Sequence, residues 1–303
     1  MASSDADRSL QFDSIFVVEL LGPTDRKTGD ALFRSTIQPK GAAERIHTAY
    51  VSVSSADRFI PDLWAVAAEC KSHRLSPIIH VETHGTKAGL GLDTNSLVPW
   101  EALVPPLRAI NETSEMNLVV TLAACHGMAL VRGLTPLEPS PVWGLFGPNE
   151  QIHDVEVQKG YRLFYATLLD TLDLNAAVAA LQTGVWLPDV WNFRSAEFFF
   201  AMVYGHFLDA HRRPGERVEA ERRLVKKLRR RVRKNPGHHV PSDVRRRIRV
   251  GLADEEKHFQ RSRQRFFMLD RFPKNADRFL VTRETCLEWW EKQRAAYDLY
   301  DSS

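Results

Sequence analysis

The sequence PIIHVETHG at residues 77–85 decides the fold class, together with the sequence LVVTLAAC at residues 118–125. Each is a short apolar run that ends at a reactive side chain, His84 in the first run and Cys125 in the second. Short runs of this kind are typical of strands that are buried on both faces, as in a parallel sheet. Because the carboxyl ends of parallel strands open onto a shared crevice, we expect His84 and Cys125 to lie side by side.

The rest of the amino-terminal half alternates predicted strands with predicted helices. Strands are predicted at 15–21, 49–53 and 142–146, and helices at 55–72, 96–111, 156–171 and 174–183. This alternation predicts an α/β fold with a mostly parallel sheet between two layers of helices. From about residue 186 we expect no further strand, and predicted helices follow at 196–210, 216–234 and 241–271 and at the carboxyl end. The prediction is therefore two domains, residues 1–185 and residues 186–303.

The composition indicates a cytoplasmic protein without a transmembrane segment. The 303 residues are enough for one large α/β domain and a smaller helical region. Three widely spaced cysteines are no disulfide framework and suit a reducing compartment. The first residues lack the order of a signal peptide, and the longest apolar run, residues 198–204, is too short to cross a bilayer.

Residues 212–249 form a strongly basic segment with 16 Lys and Arg residues and 4 Asp and Glu residues, a net charge of +12. Since the whole chain carries +3, the remainder carries −9. The segment could pack on the acidic remainder, dock nucleic acid or an acidic partner, or bind a membrane surface. The apolar stripe at 216–234 has no Trp or Phe, which counts against the membrane.

His84 and Cys125 together predict cysteine peptidase chemistry. A thiol becomes a strong nucleophile when a neighbouring histidine takes its proton. The tetrahedral oxyanion needs fixed hydrogen-bond donors, and the backbone N–H groups of Gly85 and Cys125 lie where the two strands end. Glycine after the histidine also lets a substrate backbone approach closely.

Other interpretations of these residues remain open. A single cysteine at a strand end is often a buried apolar residue, and a single histidine near a turn is often structural. His126 could act as the base if the backbone turns sharply after Cys125. His80 and Glu82 share a strand face with His84, so they could orient His84 or simply pack in the core. A zinc site from His80, His84 and Cys125 is the weaker alternative, because the spacing matches no zinc signature.

These motifs resemble the caspase-like (clan CD) cysteine peptidases, and within them the bacterial CHAT-type proteases that are related to caspases and separases. The resemblance covers about residues 14–185, and the matching segments are 14–31, 79–85, 118–127 and 142–181. It implies a caspase-like α/β/α sandwich in which His84 is the base and Cys125 the nucleophile, with no metal or other cofactor. The sequence His126-Gly127-Met128 departs from the caspase pentapeptide, so specificity for aspartate is not implied.

The resemblance also implies a protein substrate. Separase-like relatives place an acidic residue after the next strand, which would be Glu150 or Asp154 in this chain and would favour a basic P1 residue. Asp154 as a plain charge at a helix N-terminus is the competing interpretation. CHAT-type relatives often act in antiviral defence, where a partner protein triggers cleavage of a gasdermin-like or other effector. The alternatives are a caspase-fold binding module that docks through the basic helices and, less favoured, a zinc hydrolase.

Overall fold

The computed structural model describes residues 11–92, 96–148, 151–184, 190–212 and 254–301, with a few isolated positions between 215 and 226. The chain divides into two compact units. Unit 1 comprises Met1–Leu134, Pro139–Phe199 and Asp298–Ser303. Unit 2 comprises Thr135–Glu138 and Phe200–Tyr297.

Eight strands are present in the described residues, and six of them form one sheet. The strands are β1 Ser14–Leu20, β2 His47–Ser52, β3 Pro77–Thr83, β4 Gly89–Gly91, β5 Leu97–Pro99, β6 Val119–Ala123, β7 Gly144–Pro148 and β8 Trp191–Ser195. The sheet has the order β2-β1-β3-β6-β7-β8, and only β8 runs antiparallel to its neighbour. Strands β4 and β5 form a separate antiparallel pair. The predicted α/β class and the mostly parallel sheet are confirmed.

The helices come between the strands in unit 1 and follow them in unit 2. They are α1 Thr28–Leu32, α2 Gln38–Ala43, α3 Ala56–His73, α4 Trp100–Thr113, α5 Asp154–Thr171, α6 Leu174–Gly184, α7 Ala196–Arg212, α8 Glu255–Phe266, α9 Asn275–Arg278 and α10 Arg283–Asp301. A π-helical turn, Phe33–Ile37, joins α1 to α2, and a 3-10 helix, Gly127–Gly133, follows β6. Helix α3 packs against α4, and α5 packs against α6.

The core of unit 1 is centred on β1, β3 and β6, whose residues are all buried. Burial on both faces explains why the residues of these strands are mostly apolar on both faces of the sheet. Each fully buried Val, Leu or Ile side chain contributes about 1.5–3 kcal/mol relative to its exposed state. The apolar sequence therefore fixes the central strands and, with them, the edge of the sheet at which His84 and Cys125 emerge.

The strand β8 corrects our expectation that no strand follows residue 186. It extends the sheet beyond β7, with Phe146 of β7 paired to Phe193 and Trp191 stacked 5.6 Å from the Phe146 ring. Its sequence, Trp-Asn-Phe-Arg-Ser, does alternate aromatic and polar residues as a half-buried strand does. Five residues directly before an aromatic-rich helix were too few for that pattern to stand out.

A second correction concerns the predicted helix at 96–111. Residues 97–99 form β5, and α4 begins only at Trp100. Its N-cap residue is Pro99, whose backbone is extended. Proline also restricts the residue before it to extended conformations, which favours a strand over a helix at this point.

The described residues of unit 2 form helices joined by turns, and their core is aromatic. Phe200 of α7 lies between 5.1 and 5.8 Å from three phenylalanine rings, those of Phe259, Phe266 and Phe267. Helix α8 ends at Phe266, five residues before the predicted end at 271. The predicted helix at 216–234, the first part of the one at 241–271 and most of the basic segment at 212–249 lie outside the described residues. No helix in the described part of the chain combines the length and the apolar character needed to cross a bilayer.

Candidate active site

The two strand ends that carry His84 and Cys125 are neighbours in the sheet. Strand β3 pairs in parallel with β6, and the register places Glu82 opposite Ala123. Two residues further along each strand direction come His84 and Cys125. The sequence-based expectation that these residues leave the sheet at the same edge agrees with this topology.

Backbone contact between Gly85 and Cys125 brings the two ends together. A Cβ atom on Gly85 would overlap the carbonyl oxygen of Cys125 and lie 3.0 Å from its backbone nitrogen. Real Cβ atoms essentially never approach backbone so closely, so the position accepts only glycine without movement of one strand end. Among the loop and turn hydrogen bonds of the described residues, none uses the N–H of Gly85 or that of Cys125.

The chain turns sharply directly after Cys125. His126 has a φ of 58°, in the left-handed region that residues other than glycine rarely adopt. Its carbonyl oxygen accepts a hydrogen bond from the N–H of Ala129, which starts the 3-10 helix. The thiol of Cys125 is free and partly buried. The turn that His126 would need in order to reach this thiol is present, so His126 stays an alternative base.

Asp25 is the side chain that the sequence analysis missed. The Nε2 atom of His84 lies 3.0 Å from Oδ2 of Asp25, which follows β1, the neighbour of β3 on the other side. The same oxygen accepts the N–H of Gly22 at 2.7 Å. Burial raises the pKa of Asp25, but the hydrogen bonds from Gly22 and His84 outweigh it, and the net pKa lies below the ordinary 3.8. The carboxylate is therefore charged at neutral pH.

A carboxylate at the end of β1 holds the segment that follows Asp25. Glu19 is buried, and its Oε2 accepts the backbone N–H groups of Gly29 at 2.8 Å and Asp30 at 3.1 Å, in the first turn of α1. Tyr50 donates its hydroxyl to the other oxygen of Glu19 at 2.9 Å. A negative charge at a helix N-terminus is stabilising, because it satisfies N–H groups that have no partner within the helix.

His80 and Glu82 belong to a buried polar network below the site. His80 faces Thr121 Oγ1 through Nδ1 at 2.8 Å and Glu82 Oε2 through Nε2 at 3.0 Å. Glu82 also accepts the hydroxyl of Thr28 at 2.7 Å, and Thr121 hydrogen-bonds to the Tyr165 hydroxyl at 2.8 Å. Of the interpretations left open for His80 and Glu82, the core polar pair matches these contacts. The carboxylate within hydrogen-bond distance of His84 belongs to a different residue, Asp25.

The zinc alternative has no support in this geometry. Both ring nitrogens of His80 face protein groups within hydrogen-bond distance, and Nε2 of His84 faces Asp25. Among the described residues, no group of three or more His, Cys, Asp and Glu side chains is placed to hold a metal ion.

The two predicted substrate-binding residues gain no support either. Glu150 lies outside the described residues. Asp154 is the first residue of α5, and its Oδ1 accepts the N–H of Val155 at 2.8 Å. This contact fits a local charge at a helix N-terminus. A role for either residue in an S1 pocket stays a prediction.

Comparison with protein-family models finds no match for this chain, and comparison with curated proteins finds no significant relative. The fold and the geometry at the carboxyl ends of β1, β3 and β6 are therefore what indicates a function.

Proposed function

We propose that this chain is a cytoplasmic cysteine endopeptidase of the caspase-like class, with Cys125 as the nucleophile and His84 as the general base. The observation that supports it most is the backbone contact of Gly85 with Cys125, which holds the residues after β3 and β6 together. A histidine and a free, partly buried cysteine on adjoining strand ends support the proposal, because thiol activation requires a base beside the thiol.

The proposed reaction proceeds through a thioester. His84 takes the proton of the Cys125 thiol, and the thiolate attacks the carbonyl carbon of the scissile peptide bond. The N–H groups of Gly85 and Cys125 stabilise the oxyanion of the tetrahedral intermediate. The carbon–nitrogen bond then breaks, the leaving amine takes the proton from His84, and the acyl group stays on sulfur. Water, deprotonated by His84, cleaves the thioester and returns the thiol.

The resemblance to CHAT-type proteases extends this proposal to a biological role. The substrate would be a protein, such as a gasdermin-like or other effector in antiviral defence, and an activating or regulatory partner would trigger cleavage. A basic P1 residue, recognised by Glu150 or Asp154, is part of the proposal. A peptide library scanned at P1 tests it, and a preference for apolar or acidic residues would contradict it.

Labelling with a cysteine-directed covalent probe tests the nucleophile. We expect Cys125 to be labelled selectively and Cys125→Ala to lose the label. Cys70 and Cys286 are both buried and serve as internal controls. Preferential labelling of Cys70 or Cys286 would refute the peptidase proposal.

A pair of histidine variants tests the base. His84→Ala should slow the labelling of Cys125 strongly, whereas His126→Ala should leave it close to the wild-type rate. The opposite ranking would assign the base to His126. Most of the basic segment at 212–249 lies outside the described residues, so its docking function stays a prediction.

A further inference from the structure

The contact between His84 and Asp25 joins a third strand end to the site. The side chain of His84 is 56% exposed and that of Asp25 is 30% exposed, with Nε2 and Oδ2 3.0 Å apart. An exposed contact of this kind contributes little to stability on its own. The effect of this contact to consider is therefore the one that Asp25 has on the imidazole of His84.

Asp25 is held in place by its own segment. The N–H of Asp25 donates to the carbonyl of Gly22 at 3.2 Å, and the N–H of Gly22 donates back to Oδ2 of Asp25 at 2.7 Å. The ammonium of Lys27 donates to the carbonyl of Gly22 at 2.9 Å. Glu19 fixes the start of α1 a few residues later. The carboxylate is thus delivered to His84 by a fixed turn.

We infer that Asp25 is the positioning residue of His84, an inference that rests on the proposed peptidase function. Asp25 accepts the Nε2–H of the imidazole and so fixes both its orientation and its tautomer. The lone pair then lies on Nδ1, which is the nitrogen that takes the proton of Cys125. When His84 becomes an imidazolium, the negative charge of Asp25 stabilises it. In activated nucleophiles generally, a base takes the proton of the nucleophile and a third group orients that base.

The test measures the alkylation rate of Cys125 by iodoacetamide in the full chain at neutral pH. Asp25→Asn keeps an oxygen that can accept both hydrogen bonds but removes the charge, and we expect a rate about fivefold lower, as for the loss of one exposed charge pair. Asp25→Ala removes the acceptor as well and should be slower still. Alkylation at the wild-type rate in both variants would overturn the inference, because Asp25 would then have no effect on His84. Faster alkylation would overturn it too, because Asp25 would then hinder His84 as a base.

Asp30→Asn is the matched control. Its side chain is 31% exposed, almost as Asp25 is, and it lies in the same segment, but its carboxylate pairs with Arg34 at 2.8 Å. It should alkylate at the wild-type rate. If Asp30→Asn and Asp25→Asn lower the alkylation rate equally, the loss of any nearby negative charge explains the effect. That result would overturn the inference.

The imidazole itself gives a second measurement that does not depend on activity. Long-range ¹⁵N NMR spectra report the tautomer of neutral His84, whose signals are assigned by their loss in His84→Ala. We expect protonated Nε2 in the wild type and an increased share of protonated Nδ1 in Asp25→Ala. Protonated Nδ1 in the wild type would overturn the inference. If His84→Ala alkylates as fast as the wild type, the assignment of His84 as the base fails by itself, while the tautomer still reports on Asp25.

Discussion

Gly85→Ala is the perturbation that most directly tests how the site is assembled. The added methyl group would overlap the carbonyl oxygen of Cys125 and lie 3.0 Å from both its carbonyl carbon and its nitrogen. Backbone atoms cannot rotate away as a side chain can, so one strand end must move. Gly85 is not among the positive-φ residues, so alanine at this position adds a clash without left-handed backbone strain.

Two magnitudes follow from this overlap. Overpacking of this kind costs about 1–3 kcal/mol of unfolding free energy. A displacement of about 1 Å between reacting groups lowers a rate by roughly 100-fold. We therefore expect urea unfolding to show a modest loss of stability, and covalent labelling of Cys125 to slow far more than that loss explains.

Gly144→Ala is the control for a general clash. A Cβ atom on Gly144, which pairs with Val119 at the start of β6, would lie 2.7 Å from two ring atoms of Phe193 in β8. This variant should also lose stability but should keep the labelling rate of Cys125. If Gly85→Ala is as stable and as reactive as the wild type, the two strand ends are not in contact, and the reasoning behind the site is refuted.

Three further predictions concern the buried network and the titrating groups. Thr121→Val leaves Tyr165 and Nδ1 of His80 without their shared partner, so the free energy of unfolding in urea should fall by about 1–3 kcal/mol. Folding lowers the pKa of Asp25, so its contribution to stability is present above the ordinary pKa of 3.8. This contribution is lost as the pH falls through the lower pKa of the folded state. Over that pH range, Asp25→Asn should therefore lose less stability than the wild type. Burial raises the pKa of Cys70 to about 12, so its thiol should react with a disulfide reagent only after unfolding.

Each of these predictions has a control or a contradicting result. Thr113→Val removes a hydroxyl that only caps a helix carbonyl, Ala109 O, and should cost less than Thr121→Val. Equal acid sensitivity of Asp25→Asn and the wild type would contradict the pKa argument. Reaction of Cys70 in the folded protein at the rate of an exposed thiol would contradict its burial.

The sequence predicted the central strands because their physics is local and strong. Runs such as residues 118–124 are apolar on both faces except at Thr121, and only a strand covered on both sides accommodates them. Once β3 and β6 were recognised, the rule that parallel strands open at their carboxyl ends placed His84 and Cys125 at one edge of the sheet.

Asp25 escaped prediction because its contact is long-range and its surroundings are a polar loop. The aspartate and His84 are 59 residues apart, and nothing in the loop sequence marks one acidic residue over another. One signal was available, since Asp25 follows the end of β1 as His84 follows the end of β3. If the residues after the carboxyl end of every predicted strand are considered, Asp25 becomes a candidate site residue.

The order β1-β3-β6 also sets when the reactive groups can first meet during folding. His84 and Cys125 are 41 residues apart, and a parallel pairing of their strands requires a crossover connection, which here contains α4. The entropy cost of closing a loop of this length favours the earlier formation of local helices and turns. A chain still emerging from the ribosome therefore holds its imidazole and thiol apart until β6 has joined the sheet. Under the proposed function, the topology delays proteolytic competence until synthesis has passed the sheet's central strands.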